Sequence, residues 1–172
     1  MTGARQPRKL GRSLARGARR GPVLGLLLVA LGLIVLPLAG SAADSIVVNP
    51  DTGLAISGFD PVAYFTDHKP ELGRSELELR LGGAVWQFRN VGNRAAFRDH
   101  PDVYMPRFGG YDPVAVARGE TVPGNPRIWA VVGQRLYLFY NDAARMTFLG
   151  DPGRIIVAAD RKWPEITKTV GQ

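Results

Sequence analysis

The 172-residue chain contains no cysteine, and that absence excludes more chemistry than any other feature of its composition. Without thiols there is no disulfide, no cysteine nucleophile, no dithiol redox couple and no cysteine-ligated zinc. Histidine is nearly as scarce, at His68 and His100 only. A copper or zinc site would have to join these two to carboxylates or to a methionine such as Met105, and nothing in their spacing favours that. No Gly-x-Ser-x-Gly occurs, and no serine has an evident histidine and acid to serve it. Excess basic charge is also missing from most of the chain, despite a formal net charge of +7. Seven of the 22 basic residues fall within residues 1–43, which hold no acid, so 15 basic side chains face 15 acidic ones in the remainder. A neutral body lacks the electrostatic footprint of nucleic-acid binding.

What is present begins with the leader. Arg5, Arg8, Lys9, Arg12, Arg16, Arg19 and Arg20 precede the apolar run GPVLGLLLVALGLIVLPLAG, and small residues Ser41, Ala42 and Ala43 follow it. That order is the pattern of an export signal, with the cut expected after Ala43 and the product in the periplasm or another extracytoplasmic space. The alternative is an uncleaved membrane anchor, although Val23 to Ala39 spans only 17 residues and Gly25, Gly32 and Pro37 interrupt it. Arg19-Arg20 raises the twin-arginine route, but Gly21-Pro22 stand where an apolar residue would be wanted. The 129 residues after Ala43 are enough to bury a core without disulfides.

Within those residues the chain echoes itself. At a shift of 51, Gly82, Phe88, Asn90, Arg94, Phe97 and Pro101 fall on Gly133, Phe139, Asn141, Arg145, Phe148 and Pro152. Apolar pairs such as Val85 with Leu136 and Trp86 with Tyr137 fill the gaps. A matching phrase precedes each copy, Gly58-Phe59-Asp60-Pro61-Val62-Ala63 and Gly110-Tyr111-Asp112-Pro113-Val114-Ala115. Leu77, Leu79 and Leu81 alternate with charge, as a half-buried strand requires, and Gly82-Gly83 turns the chain into a partner strand, Ala84 to Phe88. The second copy predicts strands from Ile128 to Val132 and Arg135 to Tyr140 around Gly133-Gln134.

Each hairpin runs into a helix, predicted over Asn93 to Asp99 and, capped by Asn141, over Asp142 to Leu149. Asp-Pro pairs at 60–61, 112–113 and 151–152 predict three more helical starts, the last helix ending near Lys162 because Trp163 precedes Pro164. Ile46-Val47-Val48 reads as a short edge strand before a turn at Asn49-Pro50. The fold expected is α+β, with two pseudo-repeated hairpin-plus-helix units sharing one core. Its divisions are an export segment at 1–43, a lead-in at 44–57, the folded domain at 58–166 and a tail at 167–172.

Few side chains offer chemistry. Asp60 and Asp112 stand before proline, so helix capping explains them better than catalysis. The repeat-matched aromatics belong to the core first. Arg107-Phe108-Gly109-Gly110-Tyr111 is the most pocket-like stretch, with paired glycines that let backbone approach a ligand and Arg107 and Tyr111 as polar contacts. It reads equally as a crossover between the units.

Taken together, Gly58-Phe59-Asp60-Pro61-Val62-Ala63-Tyr64-Phe65, Trp86-x-Phe88, Asn93-Arg94, Phe108-Gly109-Gly110-Tyr111, Tyr140-Asn141 and Asp160-x-x-Trp163-Pro164 resemble the YHS domain family over residues 54–166. The likeness is closest to its exported bacterial subgroup, the YHS domain-containing (seleno)proteins. Metal-handling members, associated with copper and other heavy metals, place cysteines where this chain has Ala63, Arg89 and Asn93. The exported subgroup often carries cysteine or selenocysteine where Asp112 stands, and the second-unit equivalents Tyr140 and Ala144 suit a soft metal no better. The resemblance therefore implies the scaffold without a thiolate site. The function expected is a non-enzymatic exported binding or accessory domain, with Arg107, Tyr111 and Asp112 as ligand-binding residues. Its partner would be a small ligand, or a protein in the periplasm or at the membrane. The alternative is binding of copper or zinc through Asp112, His100, Met105 and His68. A hydrolase or isomerase site at Asp112 and Tyr111 is the remotest option, because no general base with a partner can be named.

Overall fold

Leucine alternating with charge builds one half of a hairpin whose other half is almost entirely buried. The computed structural model describes residues 46–170. In it β1 (Arg74–Leu81) pairs antiparallel with β2 (Ala84–Phe88), and β3 (Asn125–Val132) with β4 (Arg135–Phe139), as two separate two-stranded sheets. The expected export segment lies outside the described residues. Both hairpins turn on two residues of positive φ, 63° and 72° at Gly82 and Gly83, 57° and 58° at Gly133 and Gln134. This is the mirror-image turn whose twist suits antiparallel strands. The register slips in both, between Arg74 and Glu78 and between Asn125 and Trp129.

The helices found among the described residues are α1 (Ala63–Thr66), α2 (Val91–Asp99), α3 (Pro101–Tyr104), α4 (Pro113–Arg118), α5 (Asp142–Gly150) and α6 (Pro152–Val170). α2 begins two residues before the start expected at Asn93, because Asn90 is its cap: the Asn90 side chain accepts from the Asn93 N–H at 2.8 Å. Asn141 does the same for α5, accepting from the Ala144 N–H at 2.9 Å. β3, β4 and α5 have the lengths of β1, β2 and α2 and begin 51 positions after them.

The end expected for the last helix near Lys162 is wrong. α6 continues through Pro164 to Val170, past the domain boundary placed at 166. Proline removes one N–H from the ladder and crowds the carbonyl four residues earlier. Burial outweighs that cost here, because Ile155, Ala159 and Ile166 lie in the core and Trp163 and Val170 pack against it. Replacing Pro164 with alanine is expected to stabilise the fold by about 1 kcal/mol, since it restores the N–H for the Asp160 carbonyl and relieves the ring clash. A urea midpoint that fell instead would mean that the ring makes a contact worth more than the bond it removes.

The single core expected from sequence is divided in two. Trp86, Phe88, Phe97 and Tyr64 belong to one buried cluster, and Phe139, Phe148, Ile155 and Ile166 to another. β4 stands between them. Alternate side chains of a strand point to opposite faces, so Leu136 and Leu138 enter the first cluster and Tyr137 and Phe139 the second. β2 cannot do this, because Gln87 is polar and only partly covered. The aromatic packing is otherwise alike: Trp86 and Phe97 stack at 4.8 Å and 40°, Tyr137 and Phe148 at 4.8 Å and 41°. Tyr64 ties the halves together, its hydroxyl donating to the Pro126 carbonyl at 2.9 Å. Burial, and then the nearby Asp60, push that phenol far above its usual pKa.

The edge strand expected at Ile46-Val47-Val48 is also not formed. Only a single bridge, Val48 to Ala55, is made. Asn49 turns the chain back at once, its side chain accepting from the N–H groups of Asp51 and Thr52. The lead-in is nonetheless part of the fold, through Val47 N–H to the Gly109 carbonyl and Ala55 N–H to the Val85 carbonyl, both 2.8 Å.

Candidate functional site

A cleft of about 400 Å³ opens where the first hairpin turn, α3, the Arg107–Gly110 turn, the start of β4 and α6 meet. Its apolar wall includes Trp86, Met105, Phe108 and Trp163, with Ile46 and Leu81 beside them. Each side chain arrives by a local cause. Trp86 alternates inward on β2 and is fixed by its indole N–H, which donates to the Leu81 carbonyl at 3.0 Å. Phe108 is delivered by a left-handed turn, with φ of 53° at Phe108 and 60° at Gly109. Such a conformation is costly for an aromatic residue and persists only where its surroundings enforce it. Trp163 reaches the cleft because α6 does not stop at Lys162. Its ring meets Phe108 edge-on at 5.6 Å and 72°, and Tyr111 at 6.1 Å.

The residues with charged side chains that line the cleft are Arg107, Arg135 and Asp102. Arg107 forms an ion pair with Asp160 of α6 and lies over the Phe108 ring, 5.1 Å from its centre. Arg135 donates to the Asp102 main-chain carbonyl and, among the described residues, pairs with no carboxylate. Burial raises the pKa of the Tyr137 hydroxyl behind the wall, and the charges of Arg107 and Arg135 act in the opposite direction.

The residues singled out in the sequence do not converge. Of Arg107, Tyr111 and Asp112, only Arg107 lines the cleft. Tyr111 packs behind it on Trp163, its hydroxyl pKa raised by burial. Asp112 is 2% exposed and caps α4: one oxygen accepts from the Val114 N–H at 2.8 Å, the other from the Tyr140 N–H at 2.9 Å. Its ligand-binding role is thus corrected to a structural one, because both carboxylate oxygens already hold main-chain donors.

Asp60 is placed the same way, accepting from the Val62 and Arg89 N–H groups at 2.9 Å, and it takes a third bond from the Asn93 amide at 2.7 Å. His68 and His100 are exposed, and neither lines the cleft, whereas Met105 does. Among the described residues no group of three or more histidines, aspartates or glutamates is placed to hold a metal ion.

Arg135 and Trp163 were missed as site residues. Arg135 carried a signal, because the repeat aligns it with Ala84, and a cation standing where the other copy buries a methyl group marks a departure from packing. Asp160 and Trp163 stood in a quoted motif without a role. Comparison of the chain with family models, with curated proteins and with solved structures finds no match, so the site stands on its own geometry.

Proposed function

We propose that this chain is an exported, non-enzymatic binding or accessory domain of YHS type, and that the cleft between the first hairpin turn and α6 is its ligand site. The observation that carries the reading is the composition of that cleft: aromatic and aliphatic residues lining it together with Arg107, Arg135 and Asp102, and, among the described residues, no histidine, serine, threonine, tyrosine, lysine or glutamate. Apolar pockets with a few placed polar groups bind small molecules. Catalysis needs a nucleophile or general base with a partner to orient it, and Asp102 alone does not supply one.

The doubled-unit reading is supported by the paired aspartates, Asp60 and Asp112, which join the start of a helix to the end of a strand in the same way in each half. The three positions at which metal-handling relatives carry cysteine gather around Asp60. The Arg89 main-chain N–H and the Asn93 side-chain amide donate to its carboxylate, and the Ala63 N–H donates to its main-chain carbonyl at 3.3 Å. Here they form a hydrogen-bonded knot that offers no soft ligand.

Titration of the purified full chain with the fluorescent apolar anion 8-anilinonaphthalene-1-sulfonate tests the binding reading. Saturable one-site binding is expected, weakened at least about fivefold by Trp163→Ala, or about 1 kcal/mol of apolar contact. Non-saturable binding, or binding indifferent to both Trp163→Ala and Met105→Ala, would sink it. Substrate turnover abolished by Arg107→Gln or Asp102→Asn would replace it with an enzymatic one. Titration with copper and zinc decides the metal alternative, which needs binding tighter than about 1 mM, roughly 4 kcal/mol.

A further inference from the structure

We infer that the ligand of this cleft is a monoanionic amphiphile, a carboxylate on an apolar chain or ring, held by Arg135; this rests on the binding reading above. Two observations carry it. The first is the division of labour between the two arginines. Arg107 is already neutralised by Asp160 and lies over Phe108, so it serves as part of the wall. Arg135 is the lining cation without a carboxylate partner among the described residues, and its recorded bond goes to a main-chain carbonyl. A guanidinium has five N–H donors in a planar fork, so donors remain for a second acceptor, and the fork matches both oxygens of a carboxylate.

The second observation is the surface next to it. Trp86, Met105, Phe108 and Trp163 all line the cleft, Met105 and Trp163 partly exposed and Trp86 and Phe108 buried behind them, which gives it an apolar side that an inorganic anion would not use. A neutral hydrocarbon would fill the wall but leave Arg135 facing it. A cationic amphiphile would bring like charge to Arg135. A doubly charged phosphate would fit the fork, but a single guanidinium neutralises only one of its two charges. An acid with one negative charge satisfies both parts, and apolar burial supplies most of its affinity while Arg135 supplies the selection.

The test is displacement of 8-anilinonaphthalene-1-sulfonate from the full chain by four compounds that share one tail: octanoate, octyl phosphate, 1-octanol and octylamine at pH 7. Octanoate is expected to compete at least tenfold more tightly than 1-octanol and octylamine, and several-fold more tightly than octyl phosphate. Arg135→Gln should reduce octanoate affinity at least fivefold and leave 1-octanol unchanged, while Arg135→Lys should fall between. If 1-octanol equals octanoate, or octyl phosphate exceeds it, the ligand class is wrong and the cleft remains a binding site. If none of the four compounds displaces the dye, this proposal falls, while the binding reading stands or falls on the dye's own saturable binding and its weakening by Trp163→Ala. The comparison on the unaltered chain needs no variant, so a poorly folded Arg135→Gln protein does not protect the idea.

Discussion

Asp60→Ala is expected to cost the fold about 4 kcal/mol and Asp112→Ala about 2 kcal/mol, an order set by how many donors each carboxylate holds and how deeply. Asp60 is fully buried and accepts three bonds, from the Val62 and Arg89 N–H groups and the Asn93 side chain. Alanine strands all three donors, and each buried donor left unpaired costs about 1–3 kcal/mol. Part of that is offset, because a buried charge no longer has to be held out of water. Asp112 accepts two bonds, both part-buried, and Ala144 stands where the first half has Asn93. Water can reach the donors left behind more easily there. Asp60→Asn should cost about half as much as Asp60→Ala, since one oxygen remains to accept while the new amide faces donors. Urea unfolding of the full chain and its three variants measures all of this. Equal losses at the two positions would show that the two main-chain bonds common to both carry the whole effect, and that Asn93 adds nothing.

Gly73→Ala and Gly124→Ala are each expected to destabilise by about 3 kcal/mol or more, for a steric reason and not a conformational one. A Cβ on Gly73 would lie 2.4 Å from the Gln87 carbonyl carbon and 2.6 Å from the Phe88 nitrogen. On Gly124 it would lie 2.6 Å from the Leu138 Cβ and 2.7 Å from the Gly110 carbonyl oxygen. These obstacles are main chain or branch from it directly, so no flexible side chain can swing away. Each glycine sits just before a strand whose register then slips, and its N–H bonds the carbonyl of a glycine in the preceding turn, Gly58 or Gly110, at 2.9 Å. Close approach of one backbone to another is what glycine permits within a sheet. Gly150→Ala is the control. Nothing lies near its Cβ position at the end of α5, so the change should be neutral or stabilise by up to about 1 kcal/mol. Melting temperatures that fell no further for Gly73→Ala and Gly124→Ala than for Gly150→Ala would mean that the backbone relaxes around the added methyl groups and that the clash does not govern them.

The elements were legible in the sequence where a local cause decides them. Alternating leucines and a two-residue turn need no distant partner to specify a hairpin, and Asn141 announces the start of α5 by its own side chain. Errors arose where a distant contact outweighed the local rule. Pro164 reads as a stop, yet Ile166 and Val170 have a buried surface to meet, and the helix continues. Ile46 to Val48 has the composition of a strand, but among the described residues its pairing stops at the single bridge from Val48 to Ala55. Asp112 and Tyr111 sit next to Arg107 in sequence, and the turn after Gly110 sends them behind the wall that Arg107 helps to line.

By itself the sequence determined the α+β content, the two hairpins, the Asn141 cap, the capping role of Asp112 and the exclusion of any thiol chemistry. All of these follow from residue identity and spacing within a dozen positions. Tertiary structure alone decided that the core divides at β4, and that Trp163 from α6, Arg135 from β4 and Trp86 from β2 line one cleft. These residues are separated by dozens of positions, and no local propensity encodes their meeting. It follows from burying both faces of β4 and carrying α6 through a proline to cover the second cluster, which brings Trp163 beside Phe108.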